Sequence, residues 1–412
     1  MARNFSIGLA AGLTAMLSLA LGVLGMATCA AAQQDKVLFS FNTSGGFPSY
    51  SGVIADASGN LYGTTVDGGA YGFYGTVFEL TPSASGGWTQ RVLHSFNNDG
   101  TDGYIPYGSL ILDPSGNLYG TTTYGGTYGF GTVFKVTPIG GDWTETILHN
   151  FNHNGVDGAV PYSGLIFDAP GNLYGTTGEG GAYDSGTAFE LIPSAGGQWT
   201  ETILHSFIRN GSDGLYPTEG LIFDTSGNLY GTTTAGGAFN WGVLYRLTTT
   251  PTGKWTEKLV HNFGPADGIP NPGLVFDASG NLFGTGTIGS YGFGTVFELT
   301  PKAGGGFSEK IVHAFRNFGH DGIDPSAGPI MDASGNLYGT TQGGGAYGYG
   351  TVFELMPKAD GGWSEKILHS LRKGQDGYLP YGVLAVDASG NLYGTTTAGG
   401  TYNDGIIFEV SP

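Results

Sequence analysis

Residues 116–122 read Gly116-Asn117-Leu118-Tyr119-Gly120-Thr121-Thr122, and the first five of these return along the chain. The pentapeptide Gly-Asn-Leu-(Tyr/Phe)-Gly begins at Gly59, Gly116, Gly171, Gly227, Gly280, Gly335 and Gly390, at spacings of 57, 55, 56, 53, 55 and 55. A fixed period of this size marks a tandem array, not a string of independent domains. Each unit reads as four short strands. In the third unit Leu165-Ile166-Phe167 is stopped by Asp168 and Gly171, and Asn172 to Thr177 follows as the second strand. In the second unit Gly131 to Val136 is the third strand, and Trp143 to His149 the fourth, after a Gly-Gly turn. Turn residues bound every run, and β-branched or aromatic residues fill them.

Composition agrees with an all-β reading. Of 412 residues 78 are glycine, against an average near 7%, so the chain turns often or packs backbone on backbone. Aromatics make up 13% and charged residues 12%, too apolar a mixture for a disordered chain and a poor one for helices.

The fourth strands settle the architecture. Strands one to three occur seven times, but complete fourth strands occur only six times, starting at Trp88, Trp143, Trp199, Trp255, Phe307 and Trp363. The missing copy stands at the other end, where Val37-Leu38-Phe39-Ser40-Phe41 matches Ile147-Leu148-His149-Asn150-Phe151. We therefore expect a seven-bladed β-propeller spanning residues 33–412, with the N-terminal strand (36–41) completing the last blade. Closing the ring in this way removes the sheet edge an open array would expose.

Leu118-Tyr119-Gly120-Thr121-Thr122, Gly125-Gly126 and Gly131-Thr132-Val133-Phe134 resemble the GloVer-type tandem repeat of exported bacterial proteins. The likeness runs through all seven units, with departures at Leu282 to Gly286 and at Val243-Leu244-Tyr245. It implies export and a β-propeller-like repeat, and it brings no catalytic residues with it. The N-terminus points the same way. Arg3, an apolar stretch from Ile7 to Leu24 and Ala30-Ala31-Ala32 have the form of a signal peptide cut after residue 32. Cleavage would remove the single cysteine, Cys29, which suits an oxidising compartment. We expect a secreted, cell-surface or periplasmic monomer with no membrane insertion once the signal is gone. The net charge of −18, with no Lys/Arg run, sets nucleic-acid and anionic-lipid binding aside.

Three sets of residues recur. Asp56, Asp113, Asp168, Asp224, Asp277, Asp332 and Asp387 each open Asp-x-x-Gly-Asn, a hairpin in which the carboxylate accepts turn amides. Calcium would need more oxygens than this pentapeptide offers. His94, His149, His205, His261, His313 and His369 share one outer-strand position, which Phe39 fills in the N-terminal strand. That exchange fits a packed or hydrogen-bonded ring, and copies on different blades lie too far apart to share one metal. Asp102, Asp157, Asp213, Asp267, Asp321 and Asp376 sit in Asp-Gly inter-blade loops, on the face that also carries the glycine-rich loops. Turn capping is one use for them, and a cation-lined or sugar-binding mouth is the other. The tyrosines and phenylalanines of the glycine-rich loops read as covers over the blade ends, with sugar stacking as the alternative.

An active site needs unlike groups together, so irregular residues count most. Glu179 and Asp184 interrupt the third glycine-rich loop, Glu219 lies in the next inter-blade loop, and Trp241 is irregular on the same face. We take these four, with the six Asp-Gly aspartates, as the candidate ligand-binding set. No nucleophile elbow, zinc-protease helix or Cys-based zinc motif is present, and no cofactor or metal is expected. The expectation is a non-catalytic binding or scaffold module for polysaccharide or a surface protein. The alternative is a glycan-processing hydrolase or lyase that uses paired irregular acids.

Overall fold

The computed structural model describes residues 35–412 apart from 43, 44, 49 and 85, so the signal-peptide reading of residues 1–32 lies outside it. The described residues form seven antiparallel blades and no helix. In the second blade the strands are Ile111–Leu112, Leu118–Thr122, Thr132–Ile139 and Asp142–Asn150, paired in that order.

The repeated pentapeptide sets the inner packing of each blade. A Cβ on Gly120 would lie 2.6 Å from the Phe134 ring, which crosses from the neighbouring strand of the same blade. Glycine is therefore required there to admit the phenylalanine. The Asp-x-x-Gly-Asn hairpin forms as expected. Asp113 Oδ1 accepts the Ser115 and Asn117 amides at 2.8 and 2.9 Å, and Gly116 takes φ +82°. Tyr119 closes the turn by donating its hydroxyl to Asp113 Oδ2 at 3.1 Å.

The seventh blade consists of Ala385–Val386, Leu392–Ala398, Ile406–Val410 and, from the other end of the chain, Asp35–Ser40. Even its irregularity is shared. Each third strand meets its outer strand with a one-residue bulge, as between Val133 and Phe134, and Asp35–Ser40 carries the same bulge between Val37 and Phe39.

Seven apolar clusters occupy the seven junctions, each built from two consecutive blades. At the closing junction Leu38, Phe41 and Ile407 pack on Val53, Leu61 and Phe78. Towards the axis, threonines of the second strand reach the next blade's inner loop. Thr121 Oγ1 donates to the Ser163 carbonyl at 2.9 Å, Thr176 to Glu219 at 2.8 Å and Thr285 to Ala327 at 2.9 Å. Thr395 makes the same bond to Ser51 at 3.3 Å and so joins the two ends of the chain.

Candidate functional site

The six Asp-Gly aspartates do not converge on the axis. Each turns back to the histidine of its own outer strand, as His94 Nε2 to Asp102 Oδ2 at 3.2 Å and His205 to Asp213 at 3.1 Å. The same carboxylate accepts the loop amide that follows the strand, Asn97 N for Asp102 at 3.0 Å and Asn152 N for Asp157 at 2.8 Å. The capping use of these residues is the one the geometry realises. Five of the six histidine rings also stand edge-on to a buried phenylalanine two residues later, as His149 to Phe151 at 4.8 Å, while His369 is followed there by Leu371.

A third partner comes from the next blade. Glu145 Oε2 lies 3.5 Å from His94 Nε2, and Glu201, Glu309 and Glu365 approach His149, His261 and His313 at 3.7, 3.9 and 3.6 Å. Five sets result: His94, Asp102, Glu145; His149, Asp157, Glu201; His205, Asp213, Glu257; His261, Asp267, Glu309; and His313, Asp321, Glu365. In each, one imidazole nitrogen and two carboxylate oxygens lie within 4.8 Å, a donor set able to take a divalent transition ion. A proton neutralises the same charge. Burial, then the neighbouring aspartate, pushes Glu145 and Glu201 up to about 9 and Glu309 up to about 8, and burial raises Glu257 too, with His205 opposing and Asp213 adding to the shift. Glu365 rises to about 7 by burial, with His313 opposing and Asp321 adding to the shift. The sequence reading missed these glutamates. Their signal was the fixed offset two residues after the outer-strand Trp or Phe, kept in five blades and changed to Gln90 in the first.

The inter-blade loops and the glycine-rich loops do share one face. Gly103 pairs with Gly125, Gly158 with Gly180 and Gly214 with Gly236, one loop of each kind in every pair. On that face the expectation that the loop aromatics cover the blade ends holds for Tyr74, Phe130 and Phe293, which pack on junction clusters, and is corrected for the ring at each loop tip. Tyr71, Tyr128, Tyr183, Phe239, Tyr291, Tyr347 and Tyr402 hold equivalent positions in the seven units, and each is between 49% and 60% exposed. The cause is the tight turn at the loop tip. The next residue has positive φ in every unit, from Gly72 and Gly129 to Asp184, Asn240 and Asn403, which leaves the ring standing outward. Arg316 and Arg372 lie over Tyr291 and Tyr347, at 4.4 and 4.7 Å from the ring centres.

Within the aromatic ring lies a cavity of about 690 Å³ lined by all seven units, hence on the axis. Tyr381, Tyr50, Tyr107 and Tyr162 form a continuous arc along one side, with ring centres 4.7, 5.2 and 5.8 Å apart. The equivalent positions of units four to six carry Thr218, Asn271 and Ser326. Of the ten candidate ligand-binding residues only Glu219 lines this cavity. It is 4% exposed, its Oε1 accepts the Thr218 hydroxyl at 3.2 Å, and its Oε2 is buried with no hydrogen-bond partner among the described residues. Burial pushes its carboxyl up to about 8, against the Thr218 bond. Glu179 is exposed beside Tyr162, Asp184 binds His153 at 2.6 Å, and Trp241 packs half-buried on the fourth junction's cluster.

The fold and this face define a seven-bladed β-propeller with an aromatic rim around an axial mouth. The chain belongs to the Gloeobacter/Verrucomicrobia repeat family, whose model matches residues 26–225 and 197–408. No curated protein matches it. Among solved structures it is similar to an ancestral GH74 enzyme at 10% identity and a TM-score of 0.58, covering 89% of this chain and 48% of that one. It is also similar to a protein of unknown function from Dyadobacter fermentans at 10% identity and a TM-score of 0.47, covering 91% and 96%. A third match is a putative oxidoreductase (glucose dehydrogenase) from Thermus thermophilus, at 17% identity and a TM-score of 0.42, covering 74% and 96%. At 10% identity the likeness to the GH74 enzyme speaks for the fold and not for an activity.

Proposed function

We propose that the protein is an exported, monomeric, non-catalytic propeller that binds neutral polysaccharide through its loop face. The observation that carries this reading is the ring of seven exposed aromatics at equivalent positions on one face. Solvent-exposed rings in a closed array are a contact surface, because an aromatic side chain kept from the core forgoes about 1.5–3 kcal/mol of burial. Pyranose rings present an apolar face to such side chains. Seven weak contacts on one rigid ring add through avidity when the ligand is itself a repeating chain. The net charge of −18 favours a neutral ligand over a polyanion. The hydrolase alternative needs two carboxyls across one bond. Among the described residues lining the axial cavity, Glu219 is the single carboxyl.

The test is incubation of residues 33–412 with insoluble neutral polysaccharides, assaying bound protein and released sugar together. Retention without release is expected, and Tyr71→Ala, Tyr128→Ala and Tyr183→Ala combined should lower it at least about tenfold, the loss of roughly 1.4 kcal/mol. Absence of retention on every polysaccharide, or soluble products, would overturn the reading.

A further inference from the structure

Unit four breaks the sevenfold pattern at the axis. The position of Glu219 is held by Ser51, Gly108, Ser163, Pro272, Ala327 and Gly382 in the other units, none of them ionisable. The fourth unit also replaces the blade phenylalanine by Tyr245, whose hydroxyl is buried without a hydrogen-bond partner among the described residues. Glu219 Oε2 and the Tyr245 hydroxyl are two of four buried side-chain polar atoms of this blade, with Arg246 Nε and Glu257 Oε1, that find no partner among the described residues. Leaving such a group unpaired is costly, and a ligand hydroxyl bonded to Glu219 would recover that cost.

The cavity around Glu219 has two unlike sides. Units seven, one, two and three, consecutive on the ring, supply the tyrosine arc. Units four, five and six, also consecutive, supply Glu219 with Thr218, Asn271 and Ser326. A volume of about 690 Å³ lies within the range of small-molecule sites. Among the described residues no Lys, Arg or His lines it, so a phosphate or carboxylate on the ligand would meet no counter-charge there and one acidic group. Nucleotides, sugar phosphates and uronic acids are disfavoured. A ligand with one apolar face, several hydroxyls and no charge fits both sides.

We infer that the axial cavity is a second binding site, separate from the aromatic rim, that takes the end of a neutral glycan chain, with Tyr107 and its arc against the sugar face and Glu219 bonded to a sugar hydroxyl. This rests on the glycan-binding reading and goes beyond it, because the rim alone would need no pocket. The rim holds the body of an insoluble chain and the cavity selects a terminus. A soluble oligosaccharide of two to six units therefore suffices for the cavity, whereas rim binding depends on many contacts at once.

The experiment is calorimetric titration of residues 33–412 with neutral oligosaccharides of the cello-, xylo-, laminari- and chito- series, alongside retention on the insoluble polymers. Glu219→Gln and Tyr107→Ala should weaken oligosaccharide binding about tenfold or more while leaving retention intact. The combined Tyr71, Tyr128 and Tyr183 variant should do the reverse. Melting temperatures identify any variant that has lost its fold. Ring-labelled tyrosine spectra of the unaltered protein supply a readout free of variants, in which a cavity ligand shifts Tyr50, Tyr107, Tyr162 and Tyr381 and spares Tyr71 and Tyr128. The inference is overturned if no oligosaccharide binds, if binding is indifferent to both cavity variants, or if the shifts fall on the rim. In each of those outcomes, persisting retention on insoluble polymer leaves the rim reading standing.

Discussion

Six blade junctions carry an ionisable set and the seventh carries none. Five hold His, Asp and Glu together, and at the sixth Asp35 replaces the glutamate, meeting His369 Nδ1 at 2.5 Å while Asp376 takes Nε2 at 3.0 Å. Where the chain closes on itself, all three residues change at once. Phe39 stands for the histidine, Gly45 for the aspartate and Gln90 for the glutamate, and a Cβ on Gly45 would lie 3.0 Å from Gln90 Oε1. The coincident loss teaches that the three act as a unit. A buried carboxyl pair without its imidazole, or an imidazole without its carboxylate, leaves charge uncompensated, whereas exchanging every member for a neutral group does not. The closing junction is held instead by backbone pairing of Asp35–Ser40 with Ile406–Val410, by apolar packing and by the Thr395 bond to Ser51.

Breaking the closing junction should therefore have the largest effect. Deleting residues 33–41 removes a whole strand, exposes the edge of Ile406–Val410 and strips Leu38 and the fully buried Phe41 from their cluster. Burial of the two side chains alone is worth about 1.5–3 kcal/mol each. The melting temperature measured by calorimetry should fall by well over about 10 °C, or the protein should aggregate through its free edge. A truncated protein that melts with the intact one would sink strand exchange as the means of closure.

A smaller effect, and a sharper one, comes from moving the closing chemistry to another junction. His149→Phe alone leaves Asp157 and Glu201 buried and facing each other, and should cost about 3 kcal/mol. The triple variant His149→Phe, Asp157→Gly, Glu201→Gln reproduces the closing set and should cost less than the single one, despite losing the Asp157 bond to the Asn152 amide. Urea unfolding of the single, double and triple variants measures the coupling. Additive losses would show three independent residues.

The repeats made the ring, its closure and the hairpins legible before any coordinates, because each is a local pattern read in register seven times. The Asp113 hairpin and the turn of Asp102 towards its own strand are contacts within a few residues. Two features were harder to read. Glu145 belongs to the set of His94, 51 residues away in the preceding blade, and sequence period alone does not say which side of a strand faces a neighbour across a junction. The loop aromatics were read as covers because rings are usually buried; Tyr74, Phe130 and Phe293 do pack on the junctions, but the positive φ after each tip ring turns that ring to solvent. Glu219 was legible as an oddity in a symmetric array. Its place at the axis, opposite an arc of tyrosines, follows from the radial geometry of the inner loops.

The smallest effect is a slope. Burial and a neighbouring aspartate raise Glu145 and Glu201 from the ordinary 4.5 to about 9, so the folded protein keeps protons that the unfolded chain has released. The stability this gives is fully present below pH 4.5 and is lost progressively as pH rises towards 9. The hairpin carboxylates act in the opposite sense. Burial raises Asp113 and Asp387, but the bonds from Asn117 and Asn391 and the other turn donors outweigh it and hold both below 3.8, so their contribution disappears only in stronger acid. Between pH 5.5 and 9 the glutamates dominate, and the melting temperature should fall by about 5 °C. Glu145→Gln with Glu201→Gln should match the unaltered protein at pH 5.5 and exceed it at pH 9, because the amide mimics the protonated acid that Gln90 already replaces at the closing junction. A melting temperature that instead climbs from pH 5.5 to 7 and falls on chelation would mean that a divalent ion, not a proton, neutralises the five sets. The contrast with the closing junction would then lie between metal-bearing and metal-free contacts.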